Sequence, residues 1–137
     1  MRKCVPTAAA VAGLWFVVQG PALASCGPDA GAAMKGPEGA PFTVSISAPA
    51  SIPLSAPFAA SITICPAGSE MPARLTVEAS MPAHKHGMNY DPIVLAKDAG
   101  RYEVTGLLFH MPGHWRFEVS AYHQGKPYRF SHDVNIQ

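Results

Sequence analysis

From Phe42 onward, apolar and polar residues alternate in short runs. Phe42, Val44 and Ile46 share one parity of Phe42–Ser47, and Ala60, Ile62 and Ile64 share one of Ala60–Cys65. Leu75, Val77, Ala79 and Met81 do the same over Arg74–Met81. In His114–Tyr122, Trp115, Phe117, Val119 and Ala121 take one side, while Arg116, Glu118 and Ser120 take the other. Further runs lie near Ile93–Leu95, Arg101–Met111 and Tyr128–Ile136. A period of two sends successive side chains to opposite faces of an extended chain, so each run predicts a half-buried strand. Pro53, Pro57, Pro66-Ala-Gly68, Pro82, Asp98-Ala-Gly100, Pro112-Gly113 and Gly125-Lys-Pro127 separate the runs as turns. The pattern predicts an all-β, antiparallel β-sandwich of about seven strands, with Trp115, Phe117, Val119, Val77 and Ile62 in one core. No helical period is sustained, and fourteen prolines would interrupt one.

The beginning of the chain follows a different rule. Arg2 and Lys3 precede an apolar run from Val5 to Val18, and Pro21 leads into Ala22-Leu23-Ala24. A basic head, an apolar middle and small residues at the exit make a secretory signal peptide over residues 1–24. The run is shorter than the ~20 apolar residues that span a bilayer. Leu23-Ala24-Ser25-Cys26 also fits a lipobox, in which cleavage before Cys26 leaves that cysteine lipid-anchored. Ordinary cleavage after Ala24 instead leaves Cys26 and Cys65, which an oxidising compartment joins as a disulfide. Such a bridge closes a loop of roughly 40 residues, worth about 4 kcal/mol by chain entropy.

Residues 25–41 are Gly, Ala and Pro with hardly a β-branched residue, which predicts a flexible lead. Residues 42–137 then form one domain. Loss of Arg2 and Lys3 from the ten basic residues leaves eight against nine acids. This near-neutral balance has no basic patch for nucleic acid.

Candidate chemistry lies in the second half. All six histidines fall between His84 and His132. The densest run is Met81-Pro-Ala-His84-Lys-His86-Gly-Met88, and a second is Phe109-His110-Met111-Pro-Gly-His114-Trp115. In an extended backbone His84 and His86 leave the same face, and Gly87 lets the chain bend so that Met88 returns toward them. Imidazole with thioether suits copper, Cu(I) in preference and Cu(II) through the imidazoles. Thioethers also persist outside the cell, where thiolates oxidise. His110 and Met111 are neighbours in a predicted strand and point to opposite faces, so one of them completes the site. The metal ligands expected are therefore His84, His86 and Met88, with His110 or Met111 supplying a further one. Set against this, Met81 and Trp115 read as core, and an H-x-H run also suits a solvated polar turn.

The strings MPAHKHGMNYDP and GRYEVTGLLFHMPGHWRFEV resemble the YtkA-like family of small secreted immunoglobulin-like domains. They follow its order M-P-x-H-x-H-G-M, then G-x-Y-x-x-x-G-x-x-F-x-M-P-G-x-W, over roughly Phe42 to Gln137. The resemblance implies an immunoglobulin-like sandwich in the periplasm or on the cell surface that handles copper. A weaker similarity is to periplasmic copper chaperones with ligands in the order H/M-x10-M-x21-H-x-M. Met88 and His110 have that twenty-one-residue spacing, but Val77 and Pro112 stand where the outer ligands belong.

A nucleophile elbow, a phosphate loop and a carboxylate pair in a cleft are all missing from the sequence, so no enzyme is expected. Two functions remain. One is an exported copper carrier or buffer whose partners are the ion and an envelope or membrane protein receiving it. The other is a metal-free accessory domain docking on an envelope partner.

Overall fold

The computed structural model describes Cys26, residues 30–98 and residues 100–137; the expected signal peptide, residues 1–24, lies outside them. The strands in chain order are β1 (Ala32–Ala33), β2 (Phe42–Ser47), β3 (Phe58–Pro66), β4 (Arg74–Met81), β5 (His86–Gly87), β6 (Ile93–Ala96), β7 (Arg101–Leu107), β8 (Gly113–His123) and β9 (Lys126–Ile136). They make a five-stranded sheet, β1-β2-β3-β7-β6, and a four-stranded sheet, β5-β4-β8-β9. Strand neighbours are antiparallel throughout. The chain is thus an all-β sandwich. Its seven longer strands answer to the seven alternating runs, while β1 and β5 are two residues each and carry no readable period.

Alternation becomes burial. Trp115, Phe117, Val119 and Ala121 of β8 are fully buried, and Leu75, Val77, Ala79 and Met81 of β4 face the same interior. Across from them pack Val44, Ile46, Ile62, Ile64, Val104 and Phe109 in one cluster, which includes all five residues expected in the core. Burying each such side chain contributes about 1.5–3 kcal/mol, which is why parity fixes the register of every strand.

Three boundaries differ from expectation. The β8–β9 hairpin is tighter than Gly125-Lys-Pro127 suggested. His123 pairs with Lys126, and Gln124 (φ 49°) and Gly125 (φ 77°) form the two-residue turn. Two successive left-handed residues match the twist of the strands. Pro127 is tolerated because β9 is an edge strand and has a side without ladder bonds. The run Arg101–Met111 stops as a strand at Leu107, and Phe109 crosses to a parallel bridge with Leu54. The Phe109 carbonyl accepts the Ser55 N–H at 2.7 Å. His110 and Met111 are therefore loop residues rather than strand neighbours.

Third, part of the stretch read as a flexible lead is tied down. Ala32 and Ala33 pair with β2, Met34 is buried, and Lys35 exchanges 2.8 Å backbone hydrogen bonds with Ser131 of β9. Upstream, Cys26 and Cys65 are joined as a disulfide with Cα atoms 5.7 Å apart. The bridge fastens the start of the described chain to the end of β3.

Candidate functional site

Met81, the last residue of β4, is followed by Pro82, whose fixed φ suits the second position of a tight turn. The Met81 carbonyl accepts the N–H groups of His84 (3.1 Å) and Lys85 (3.0 Å), and Lys85 is left-handed at φ 53°. The chain reverses there and returns as β5, with His86 opposite Met81 and Gly87 opposite Ser80. His84 and His86 are therefore not two residues of one extended segment. They stand on either side of a reversal, and the bend belongs to Lys85 rather than to Gly87. Gly87 serves another purpose: a Cβ there would lie 3.1 Å from the Ala79 carbonyl oxygen, so its absence lets β5 approach β4. The Met88 N–H then donates to that carbonyl at 3.2 Å, and the Met88 side chain packs half-buried against the core.

Opposed residues of an antiparallel pair share a face, so His86 follows Met81 toward the interior end of the sandwich. There it meets the loop that leaves β7. The ring centres of His86 and His110 are 5.0 Å apart, and those of His84 and His86 are 6.2 Å apart. Trp115 closes the back, its ring 5.9 Å from that of His86 and 5.6 Å from that of His110. The indole is itself fixed. It stacks on Phe109 at 4.3 Å and 12°, and its Nε1–H donates to the Met111 carbonyl at 2.9 Å. That bond orients the loop carrying His110.

His110 has a further property. Its Nδ1 is buried and has no hydrogen-bond partner. Buried polar atoms are nearly always paired, because leaving one unpaired costs about 1–3 kcal/mol. A neutral imidazole nitrogen without a hydrogen-bond partner is chemically able to act as a metal ligand. The spacing agrees. A metal ~2.0–2.1 Å from a ring nitrogen lies about 3 Å from the ring centre, so two rings sharing one ion have centres roughly 5–6 Å apart. The His86–His110 and His84–His86 separations both fall close to that span.

Of the five candidate ligands, the structure brings His84, His86 and His110 into one chain of rings. Met88 packs half-buried against the core and Met111 is exposed on the loop; neither thioether is brought against the rings. Among the described residues, no group of three or more His, Cys, Asp or Glu side chains is arranged to hold an ion. The arrangement is a close pair of imidazoles with a third, exposed one on a turn. His114, from the same run as His110, faces elsewhere: its Nε2 lies 3.0 Å from Asp133 Oδ1. The Arg116 guanidinium, hydrogen-bonded to Asp133 at 2.8 Å, holds that carboxyl below the usual aspartate range, with His114 adding to the effect.

The sequence left Trp115 as plain core and gave Phe109 no role, whereas Trp115, stacked on Phe109, also forms the wall behind the rings. The signal for this was faint: Trp115 follows His110 and Met111 closely enough for its indole to bond back to that loop. No family model, characterised protein or solved structure matches the chain.

Proposed function

We propose that this chain is an exported, YtkA-like copper-binding protein that carries or buffers copper outside the cytoplasm. His86 and His110 are the central ligands, with His84, Met88 and Met111 as further donors from the turn, the core side and the loop. The observation that carries the reading is the buried, unpartnered His110 Nδ1 beside the His86 ring. An imidazole pair backed by thioethers is soft enough to favour Cu(I) and still accepts Cu(II). Copper is cargo here, passed to an envelope or membrane protein, and the chain performs no catalysis. His84, on an exposed turn, is suited to first capture and release, while His86 and His110 hold the ion against Trp115.

Competition titration against a copper chelator tests this. The His86→Ala/His110→Ala variant should lose copper binding with its circular dichroism unchanged, and His84→Ala should weaken it less. Trp115 is the one tryptophan that remains after residues 1–24 are removed. Copper should therefore quench its fluorescence in the wild type and not in the double variant. Wild-type affinity in the double variant refutes the site.

A further inference from the structure

β6 is the edge of the five-stranded sheet, and it carries an unusual surface. Ile93 is 60% exposed, Leu95 44%, and Tyr90 just before the strand 60%. Its hydrogen-bonding edge is open as well. The Lys97 N–H donates to the Arg101 carbonyl, which makes that pair hydrogen-bonded. In an antiparallel ladder hydrogen-bonded pairs alternate with non-bonded ones. Leu95↔Glu103 and Ile93↔Thr105 are then bonded to β7, while the N–H and C=O groups of Val94 and Ala96 point away from it. No described backbone group bonds to them. Beyond lies a groove lined by Asp91, Pro92 and Val94 on one side and by Leu75 and Val77 of β4 on the other.

An exposed, apolar edge is a template for another strand. The question is which strand fits, and β6 fits itself. Because only even-numbered residues offer edge hydrogen bonds, few self-pairing registers are open. Placing Val94 opposite Val94 sets Ile93 opposite Leu95 and Asp91 opposite Lys97, twice by symmetry. Slipping by two residues in either direction keeps one apolar pair, Leu95 against Leu95 or Ile93 against Ile93, but loses the charge match, setting Lys97 against Ile93 or against Asn89. In the matched register each Val94 N–H donates to the second copy's Val94 carbonyl. Each Ala96 N–H donates to the second copy's Pro92 carbonyl, so the missing N–H of Pro92 forfeits one bond of that pair only. The exposed apolar side chains cover each other, and the charges are complementary.

We propose that two copies of this chain associate antiparallel through the open edges of β6, in the register that sets Val94 against Val94, and so join their five-stranded sheets into one. The contact is isologous, as closed two-fold dimers require. It does not depend on copper.

Sedimentation equilibrium of the protein, expressed from the full chain and processed by its host, tests this with a chelator present. A monomer–dimer equilibrium is expected over about 1–100 µM. Ala96→Pro removes the donor without touching the ladder to β7 and should abolish the dimer while the melting temperature holds. Asp91→Lys, which sets like charges face to face, should weaken association about ten-fold. Lys97 is also ion-paired with Glu103 of its own chain, so the swap that should restore association is the triple variant Asp91→Lys/Lys97→Asp/Glu103→Lys. A protein monomeric over the whole range, a dimer indifferent to Ala96→Pro, or a folded triple swap that restores nothing overturns the proposal. A monomeric wild type would leave the edge to a different partner.

Discussion

The unpaired His110 Nδ1 predicts a variant that is more stable and less functional. In His110→Leu the buried nitrogen disappears, and with it a cost of about 1–3 kcal/mol. Against that gain stands the loss of the ring's edge contact with Trp115, of the order of 0.5–1.5 kcal/mol. The relief wins, and the net effect is about 1 kcal/mol of added stability. For a domain of roughly 110 residues that is a rise of about 4 °C in Tm. Copper reverses the order. At a free concentration a hundred times its dissociation constant, the ion adds ~2.7 kcal/mol to the wild type and little to a variant that has lost a ligand. Differential scanning calorimetry with chelator and then with copper reads both halves. A His110→Leu protein that melts lower than the wild type without copper would show that Nδ1 is satisfied and the histidine structural. Equal copper-induced shifts in the two proteins would show that His110 is no ligand.

Two further outcomes follow from the geometry. The Cys26–Cys65 bridge spans 39 residues, so its loss in Cys65→Ala should cost about 4 kcal/mol and lower Tm by roughly 15 °C; a free-thiol titration of the unreduced protein should find none, and a diacylglyceryl group on Cys26 by mass spectrometry would contradict the bridge. The Asp133 carboxyl is held below its unfolded value by the Arg116 hydrogen bond, so it supports folding above that value, near pH 4, and the support disappears as pH falls through the lower folded value; Asp133→Asn should therefore lower Tm at pH 6, and this deficit should shrink as the pH is taken progressively below that unfolded value, while a deficit independent of pH would assign the effect to packing.

Alternation was enough to find the sandwich. The apolar parity of Arg74–Met81 and His114–Tyr122 became the buried face of β4 and β8, because a strand on a one-sided core buries alternate residues or none. The disulfide followed from the expectation of export: outside residues 1–24 the sequence has two cysteines, Cys26 and Cys65, which an oxidising compartment would join. Strand ends were less legible. Nothing local distinguishes Leu107 from His110, and the chain leaves the sheet there because Phe109 finds Leu54, a partner more than fifty residues upstream.

The site divides along the same line. The sequence by itself determined which residues carry donor atoms: His84, His86, Met88, His110 and Met111 are visible as two runs rich in His and Met. It could not determine which of them meet. A side-chain period states only the face a residue occupies, and His84 and His86 have the same parity in sequence although a turn at Lys85 intervenes. Tertiary structure decided that His86 follows Met81 inward, that the loop after β7 brings His110 to it, and that Trp115 stands behind both. The contacts of His86 with His110 and with Trp115 join segments more than twenty residues apart, and closing such distances is the work of the whole core. The open edge of β6 was undecidable from sequence for the same reason. Whether Val94 and Ala96 bond to a neighbour depends on the order of strands in the sheet, and that order is fixed by how two buried faces pack together.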